Sequence, residues 1–137
     1  SIGDARAVAP LLAMLQDNWL STRQAAAEAL GQIGDPRAVE PLLAALQNTR
    51  DDAIPRGYPD ARAAVAEALG KLRDPRALET LIATLENRVE HPVIRTAAAH
   101  ALAKIGDSRA IQVLAVIAAE DPDESVRFAA GKVLPID

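Results

Sequence analysis

Arginines and carboxylates recur along the chain at positions where they can form ion pairs or bind an anion. The first-row arginines each lie two residues after an aspartate: Arg6, Arg37, Arg76 and Arg109 follow Asp4, Asp35, Asp74 and Asp107. The second-row arginines each have an acid shortly before them: Arg23, Arg62, Arg95 and Arg127 follow Asp17, Asp60, Glu90 and Glu124. Such rows suit a track for phosphate or carboxylate groups, or a ladder of ion pairs that fixes the stacking of neighbouring segments. We favour a structural ladder of the second-row arginines and the four aspartates, because these residues recur whatever else varies.

Side chains suited to metal or nucleophilic chemistry are few. The only histidines are His91, in a predicted loop, and His100, in a predicted helix without a second ligand at helical spacing. A metal site needs several converging ligands, so we predict none. The serines fall at predicted helix starts or turns, where serine is a capping residue. The glycines mark helix ends rather than a phosphate-binding loop, so we predict no catalytic residue and no cofactor.

The composition indicates a soluble, helical domain. Half of the 137 residues are hydrophobic, but the only aromatic residues are Trp19, Tyr58 and Phe128. The apolar residues are mainly Ala, Leu, Val and Ile, and Ala and Leu are strong helix formers. The net charge of -4 argues against a nucleic-acid partner. The sequence has no cysteine, no signal-like start and no apolar run of about 18 residues, so we expect a cytoplasmic protein with no membrane contact.

The aspartate–arginine pairs mark the first helices of four similar units. Each aspartate is a predicted N-cap, whose carboxylate accepts a free backbone N–H. Pro36 and Pro75 follow at the first helical position, where a missing N–H costs nothing. We predict one domain over residues 1–137, with units at about 2–32, 33–71, 72–104 and 105–137. Because the chain starts inside the repeated phrase, we expect it to be part of a longer repeat protein.

A second helix in each unit begins at a second-row arginine. The four segments read RQAAAEALG (23–31), RAAVAEALG (62–70), RTAAAHALA (95–103) and RFAAGKVLP (127–135). Each has a leucine that we expect in the core: Leu30, Leu69, Leu102 and Leu134. Small residues three to four positions apart would let neighbouring units stack closely: Ala25 with Ala29, Ala64 with Ala68, and Ala97 with Ala101.

The turns after the second helices favour a repeated, stacked architecture. Gly34 and Gly106 are predicted left-handed C-caps. Arg73 breaks this pattern, so its turn is either strained or differently shaped. Since a two-helix unit cannot bury its own apolar face, the units must stack. The sequence therefore predicts an all-α fold, a right-handed α-solenoid of four two-helix repeats.

These repeated segments resemble HEAT repeats, and specifically the short, Ala-rich HEAT-like repeat of phycobilin lyases. The resemblance covers essentially the whole chain and implies that the first helices form the convex side and the second helices the concave side. Deoxyhypusine hydroxylases resemble the same repeat, but they carry His-Glu directly after the helix arginine to bind iron. Here those positions read Gln24-Ala25, Ala63-Ala64, Thr96-Ala97 and Phe128-Ala129. All four lack the ligands, so that activity is rejected.

Binding residues are expected where the units differ. Rows at helical spacing on the second helices carry such differences: Gln24, Glu28 and Gln32, then Ala63, Glu67 and Lys71, then Thr96, His100 and Lys104, then Phe128, Lys132 and Ile136. The basic end of this face suits an acidic peptide with one apolar anchor, unless the face is simply solvated.

The second unit also has a long inter-helix segment (47–61), either a binding edge or a tolerated insertion, with candidate residues Arg50, Arg56 and Tyr58.

The sequence favours a non-catalytic scaffold that binds a protein or peptide through the second-helix face and the unit-two loop. The alternative is an accessory or lyase-type protein that positions a bilin chromophore or another substrate. The uneven unit lengths disfavour an artificial repeat protein. Val113, Val116 and Ile117 stand in the last unit where earlier units have less apolar residues, so we expect either further repeats in the parent protein or end-to-end self-association.

Overall fold

The computed structural model describes residues 5–48 and 59–134, and it forms the predicted helical solenoid. Within these ranges there are no strands, and four helix pairs follow one another along the chain. None of the described helices is both long and apolar enough to cross a membrane. The helices are α1 (Val8–Met14), α2 (Leu20–Ile33), α3 (Val39–Gln47), α4 (Pro59–Leu72), α5 (Leu78–Glu86), α6 (Pro92–Ile105), α7 (Ser108–Glu120) and α8 (Glu124–Lys132).

The first helix of each pair starts at an aspartate cap. Asp35 and Asp74 each accept the backbone N–H of the arginine two residues later at 2.9 Å, and Asp107 does so at 2.8 Å. In the second and third units, a single 3-10 turn that begins with the predicted proline precedes the α-helix, at Pro36–Ala38 and Pro75–Ala77. The local sequence therefore dictates where these helices begin. Asp4 lies outside the described residues.

The helices form two layers. Each first helix packs on the second helix of its own unit, and the second helices pack on one another in the order α2, α4, α6 and α8. Contacts between first helices of neighbouring units are much sparser. The core between the layers is aliphatic, and its fully buried leucines come from both layers: Leu30, Leu42, Leu46, Leu69, Leu81, Leu85, Leu102 and Leu114.

The second helices approach closely where small residues face each other. A Cβ atom on Gly31 would lie 3.0 Å from the Ala68 Cα atom, and one on Gly70 would lie 2.7 Å from the Ala101 Cα atom. The backbones of α2, α4 and α6 therefore meet through glycine and alanine, as the small-residue stripe predicts for the middle units. In the first unit, the stripe residue Ala25 is exposed, because no described helix packs on that side of α2.

The turns after the second helices share one backbone conformation. Gly34 and Gly106 have φ angles of 75° and 72°, as left-handed caps do. Arg73 occupies the same position in the second unit with a φ of 54°, so its backbone is strained, and its N–H donates three residues back to Gly70 rather than four residues back as at the two glycines. Among the described residues it is the only non-glycine with positive φ.

The last unit departs from the predicted pattern at its C-terminal end. Helix α8 stops at Lys132, and Leu134 lies beyond it and is only partly buried, so it is not the core anchor that the alignment predicts. Gly131 weakens the helix here, and a residue that precedes a proline, as Leu134 does, is disfavoured in the helical conformation.

In α7, Ile117 is buried rather than available for end-to-end contact, whereas Val116 is 55% exposed.

Candidate functional site

The first-row arginines form surface pairs near the helix caps. Arg37 donates through Nη2 to Asp35 at 2.9 Å, and Arg76 donates in the same way to Asp74. Hydrogen bonds from these arginines hold the pKa values of the Asp35 and Asp74 carboxyls below their usual range. Two first-row arginines also reach the preceding unit: Arg76 contacts the Pro36 carbonyl at 3.2 Å, and Arg109 contacts the Glu79 carboxylate.

The second-row arginine Arg62 joins two units. Its Nε donates at 2.9 Å to the Leu46 carbonyl near the end of α3, where helix carbonyls lack partners within the helix. Its two terminal nitrogens donate to both oxygens of Glu90, at 3.0 and 2.8 Å. Glu90 lies between α5 and α6. One guanidinium therefore binds the end of α3 in its own unit and the inter-helix turn of the next unit.

The second-row arginine Arg95 repeats this arrangement at greater depth. It donates to the Leu85 carbonyl at 2.9 Å through Nε and to Asp121 Oδ1 at 3.0 Å through Nη1, and Nη2 also contacts Asp121. The Arg95 and Asp121 side chains are only 2% and 0% exposed. Asp121 lies between α7 and α8, so the pair again links consecutive units. A buried, bidentate pair of this kind is geometrically demanding, because both side chains must be correctly placed for the charges to be matched.

The acids of these pairs differ from those nearest in sequence. Glu90 binds the arginine of the preceding unit, and Asp121 was not among the candidate acids. Asp60 and Glu124 make no ion pair with a described residue, since each sits at the exposed N-terminus of its own helix. At the two ends of the stack, Arg23 and Arg127 each donate to a backbone carbonyl in their own unit, at Asp17 and Asp121.

The pairing controls the protonation of the two partner acids. Burial alone would raise the pKa of the Asp121 carboxyl, but hydrogen bonds from Arg95 and from the Asp123 amide outweigh it, and the pKa is lowered. For Glu90, the hydrogen bonds from Arg62 and the His91 amide likewise outweigh burial and lower the pKa. Both acids are therefore ionised, and their charges are matched by arginines within the fold.

A groove of about 490 Å³ lies on the second-helix side, at the C-terminal ends of α4, α6 and α8. Hereafter it is called the second-helix groove, and its lining consists of Glu67, Lys71, Arg73, His100, Ala103, Lys104 and Val133. Three permanent cations face a single carboxylate there, which gives the lining a net charge of +2 with His100 neutral. The site is thus locally positive in a chain whose net charge is -4.

The cations of the groove differ from the arginine rows in having no partners. In the described part of the chain, the side chains of Lys71, Arg73 and Lys104 make no hydrogen bond or ion pair. All three are exposed. The groove therefore offers charges that the fold itself does not use, and an anionic ligand can take them without breaking an internal pair.

The groove is lined mainly by α4 and α6. Six of its seven lining residues lie on these two helices or in the turn after α4, and the seventh is Val133, directly after α8. Gly31 meets Ala68 between α2 and α4, and Gly70 meets Ala101 between α4 and α6. At the corresponding positions of the last two units stand Ala103 and Val133, and both of these line the groove.

The groove brings together four of the residues proposed from sequence and leaves out the others. Glu67, Lys71, His100 and Lys104 line it, as their i, i+4 spacing predicts for one face. Gln24 and Glu28 lie on α2, where they hydrogen-bond to each other at 3.2 Å. On α8, Phe128 is 70% exposed and Lys132 is exposed, and neither lines the groove. The loop candidates Arg50, Arg56 and Tyr58 lie outside the described residues.

The two histidines have separate settings. His91 Nδ1 accepts the backbone N–H of Val93 at 3.2 Å and thereby caps α6, while His100 faces the groove. Across residues 5–48 and 59–134, no three histidine, aspartate or glutamate side chains converge in a way that could hold a metal ion.

Sequence reasoning missed Arg73, Ala103 and Val133 as groove residues, although the break in the glycine pattern at Arg73 was a visible signal.

Comparison with known proteins supports the architecture. A family model of HEAT repeats matches residues 1–57 and 52–135. The solved structure of human deoxyhypusine hydroxylase in complex with glycerol is similar, with a TM-score of 0.52 and 22% identity, over 96% of this chain and 73% of that chain. At this identity the likeness concerns the fold alone. No curated protein matches the sequence.

Proposed function

The chain belongs to the HEAT-repeat family, and from this premise we propose that it is a non-catalytic scaffold whose second-helix groove binds an acidic segment of a partner protein. The observation that carries the proposal is the set of unpaired cations, Lys71, Arg73 and Lys104, in a groove of about 490 Å³. That volume lies in the range of small binding clefts, about 300–1,000 Å³. An extended peptide with one or two acidic side chains suits this size and charge.

The rigidity of the solenoid favours this use. The Arg62–Glu90 and Arg95–Asp121 pairs join consecutive units around the groove. A preformed site avoids the ordering penalty that a flexible surface incurs on binding. Phe128 extends from α8, and its exposed ring supplies the apolar contact of the proposed ligand beyond the groove. We propose that the unit-two segment with Arg50, Arg56 and Tyr58 adds further contacts.

Fluorescence anisotropy with a labelled, terminally blocked peptide tests the proposal. The probe carries alternating Glu and Ser residues and one Leu, and a matched probe carries Gln in place of Glu. We expect saturable binding of the acidic probe only, and weakening of its binding by added salt because exposed charges are screened. Reversal of charge in a Lys71→Glu/Lys104→Glu double variant should weaken binding at least tenfold.

An exposed arginine outside the groove provides the matched control. Arg88 lies in the turn between α5 and α6, and its charge also acts on Asp121, so the control is Arg88→Gln, which adds no carboxylate near that acid and should leave the affinity unchanged. Equal binding of the acidic and the Gln probes would overturn the proposal. A visible absorbance change on mixing with a linear tetrapyrrole, together with no peptide binding, would instead support the chromophore-positioning alternative.

A further inference from the structure

Arg73 occupies a backbone position that glycine fills in the neighbouring repeats. Gly34 and Gly106 close the turns after α2 and α6 with φ angles of 75° and 72°, and Arg73 closes the turn after α4 with φ of 54°. The left-handed conformation crowds a Cβ atom against the following carbonyl, so side-chain-bearing residues rarely adopt it. The Arg73 backbone N–H donates to the Gly70 carbonyl, three residues back, at 3.1 Å, whereas Gly34 and Gly106 donate to carbonyls four residues back, so the helix end is still capped but with a tighter hydrogen bond.

The strain at Arg73 is not offset by contacts of its side chain within the described chain. The guanidinium is exposed and makes no hydrogen bond or ion pair there. It lines the second-helix groove, with Lys71 two residues before it and Lys104 from the next unit. A strained residue at a ligand-accessible site is the observation from which a functional role can be argued.

We propose that Arg73 is the specificity-determining residue of the second-helix groove and binds an Asp or Glu side chain of the ligand through two of its guanidinium nitrogens. This inference rests on the proposed function. A guanidinium presents two parallel N–H donors to a carboxylate, whereas the lysine ammonium groups of Lys71 and Lys104 act as point charges. Arg73 therefore orients one carboxylate of the ligand, and the lysines contribute attraction that depends less on geometry.

Arg73→Gly separates a binding role from a structural one because the two predict opposite changes. Release of the strained conformation should raise the melting temperature by about 2–4 °C, after allowance for the greater freedom of glycine in the unfolded chain. Loss of the bidentate contact should weaken the binding of the acidic peptide about tenfold. Arg73→Lys keeps the charge and the strained backbone, so it should melt like the parent yet bind the peptide several-fold more weakly.

The first unit offers the reciprocal control. No atom lies within 4 Å of a Cβ built on Gly34, and Gly34 does not line the groove, so Gly34→Ala introduces the same backbone strain without a clash and without adding a charge. It should lower the melting temperature and leave peptide affinity unchanged. The acidic probe binds the parent under the proposed function, so failure of the parent to bind would refute that function itself. Parent binding that Arg73→Gly leaves intact, or an Arg73→Gly variant that melts at or below the parent temperature, would overturn this inference alone.

Discussion

Asp121→Asn tests whether the pairs between units hold the solenoid together. The substitution keeps the shape of the side chain but removes the charge that faces Arg95, whose side chain is 2% exposed. Asp121 accepts hydrogen bonds from Arg95 and from the backbone N–H of Asp123 at 2.9 Å. The variant therefore leaves a guanidinium buried without a counter-charge, while the Leu85 carbonyl remains its acceptor.

The expected loss is large for a single residue. Removal of one partner from a buried ion pair destabilises a protein by about 3–5 kcal/mol. With an unfolding entropy of about 2.1 cal/mol/K per residue, 1 kcal/mol corresponds to roughly 3.5 °C for a chain of this length. Asp121→Asn should accordingly melt about 10–17 °C below the parent at neutral pH. Urea titration followed by circular dichroism at low temperature measures the same difference as a free energy of unfolding.

The pH dependence gives a second readout of the same pair. The pKa of Asp121 is lower in the folded state than its ordinary value, so the pair stabilises the fold fully above the unfolded-state pKa of about 3.9. This stability is lost as the pH falls through the lower, folded-state pKa. The gap between parent and Asp121→Asn should therefore be constant from pH 5 to 7 and narrow below about pH 4.

The neighbouring residue supplies the control for this experiment. Glu120 is exposed at the end of α7, and Glu120→Gln makes the same change of charge one position away. A surface change of this kind should alter stability by less than about 0.5 kcal/mol. If Asp121→Asn also changes the free energy of unfolding by less than this amount, the pair does not stabilise the stack. The second-row arginines then return as binding candidates.

Two further predictions follow from the packing and from the sequence. Gly70→Ala should destabilise the protein by about 1–3 kcal/mol in urea titration, because its Cβ would lie 2.7 Å from the Ala101 Cα atom, although alanine normally favours a helix; stability at or above that of the parent would show that α4 and α6 can separate freely. Replacement of residues 48–59 by a short turn should leave the melting temperature near that of the parent, because loop closure changes by only about 0.6 kcal/mol per doubling of length. A loss of peptide affinity in that variant would assign the segment to binding, and a collapse of the melting temperature would refute our prediction that it is dispensable for folding.

The sequence predicted the features that depend on local interactions. Each aspartate cap acts on a backbone N–H two residues away, as at Asp35, and the left-handed turns need only a glycine, as at Gly34. The partners of the second-row arginines were less predictable. Arg95 pairs with a residue 26 positions away, and no helical period specifies which acid of the next unit will face it. The nearest acids in sequence were therefore the wrong choice for Arg62 and Arg95.

Only part of the groove could be predicted from the sequence, because spacing within a helix is local and contacts between helices are not. The i, i+4 rows correctly place Lys71 and Lys104 on one face, because that relation is internal to a helix. What the rows omit are lining residues that lie in turns or beyond a helix end, such as Arg73 and Val133. Glycine against alanine closes the first two crossings, whereas Ala103 and Val133 stand at the third and line the groove.

Charge has two separate uses in this solenoid. The Arg62–Glu90 and Arg95–Asp121 pairs are satisfied inside the fold, so their charges have little left to offer a ligand. The groove cations are unpaired in the described chain and sit where the helices leave a depression. Arginine content alone would favour the repeated rows as the binding surface. The groove that we propose as the binding site lies instead where the repeat is broken, beside the left-handed Arg73.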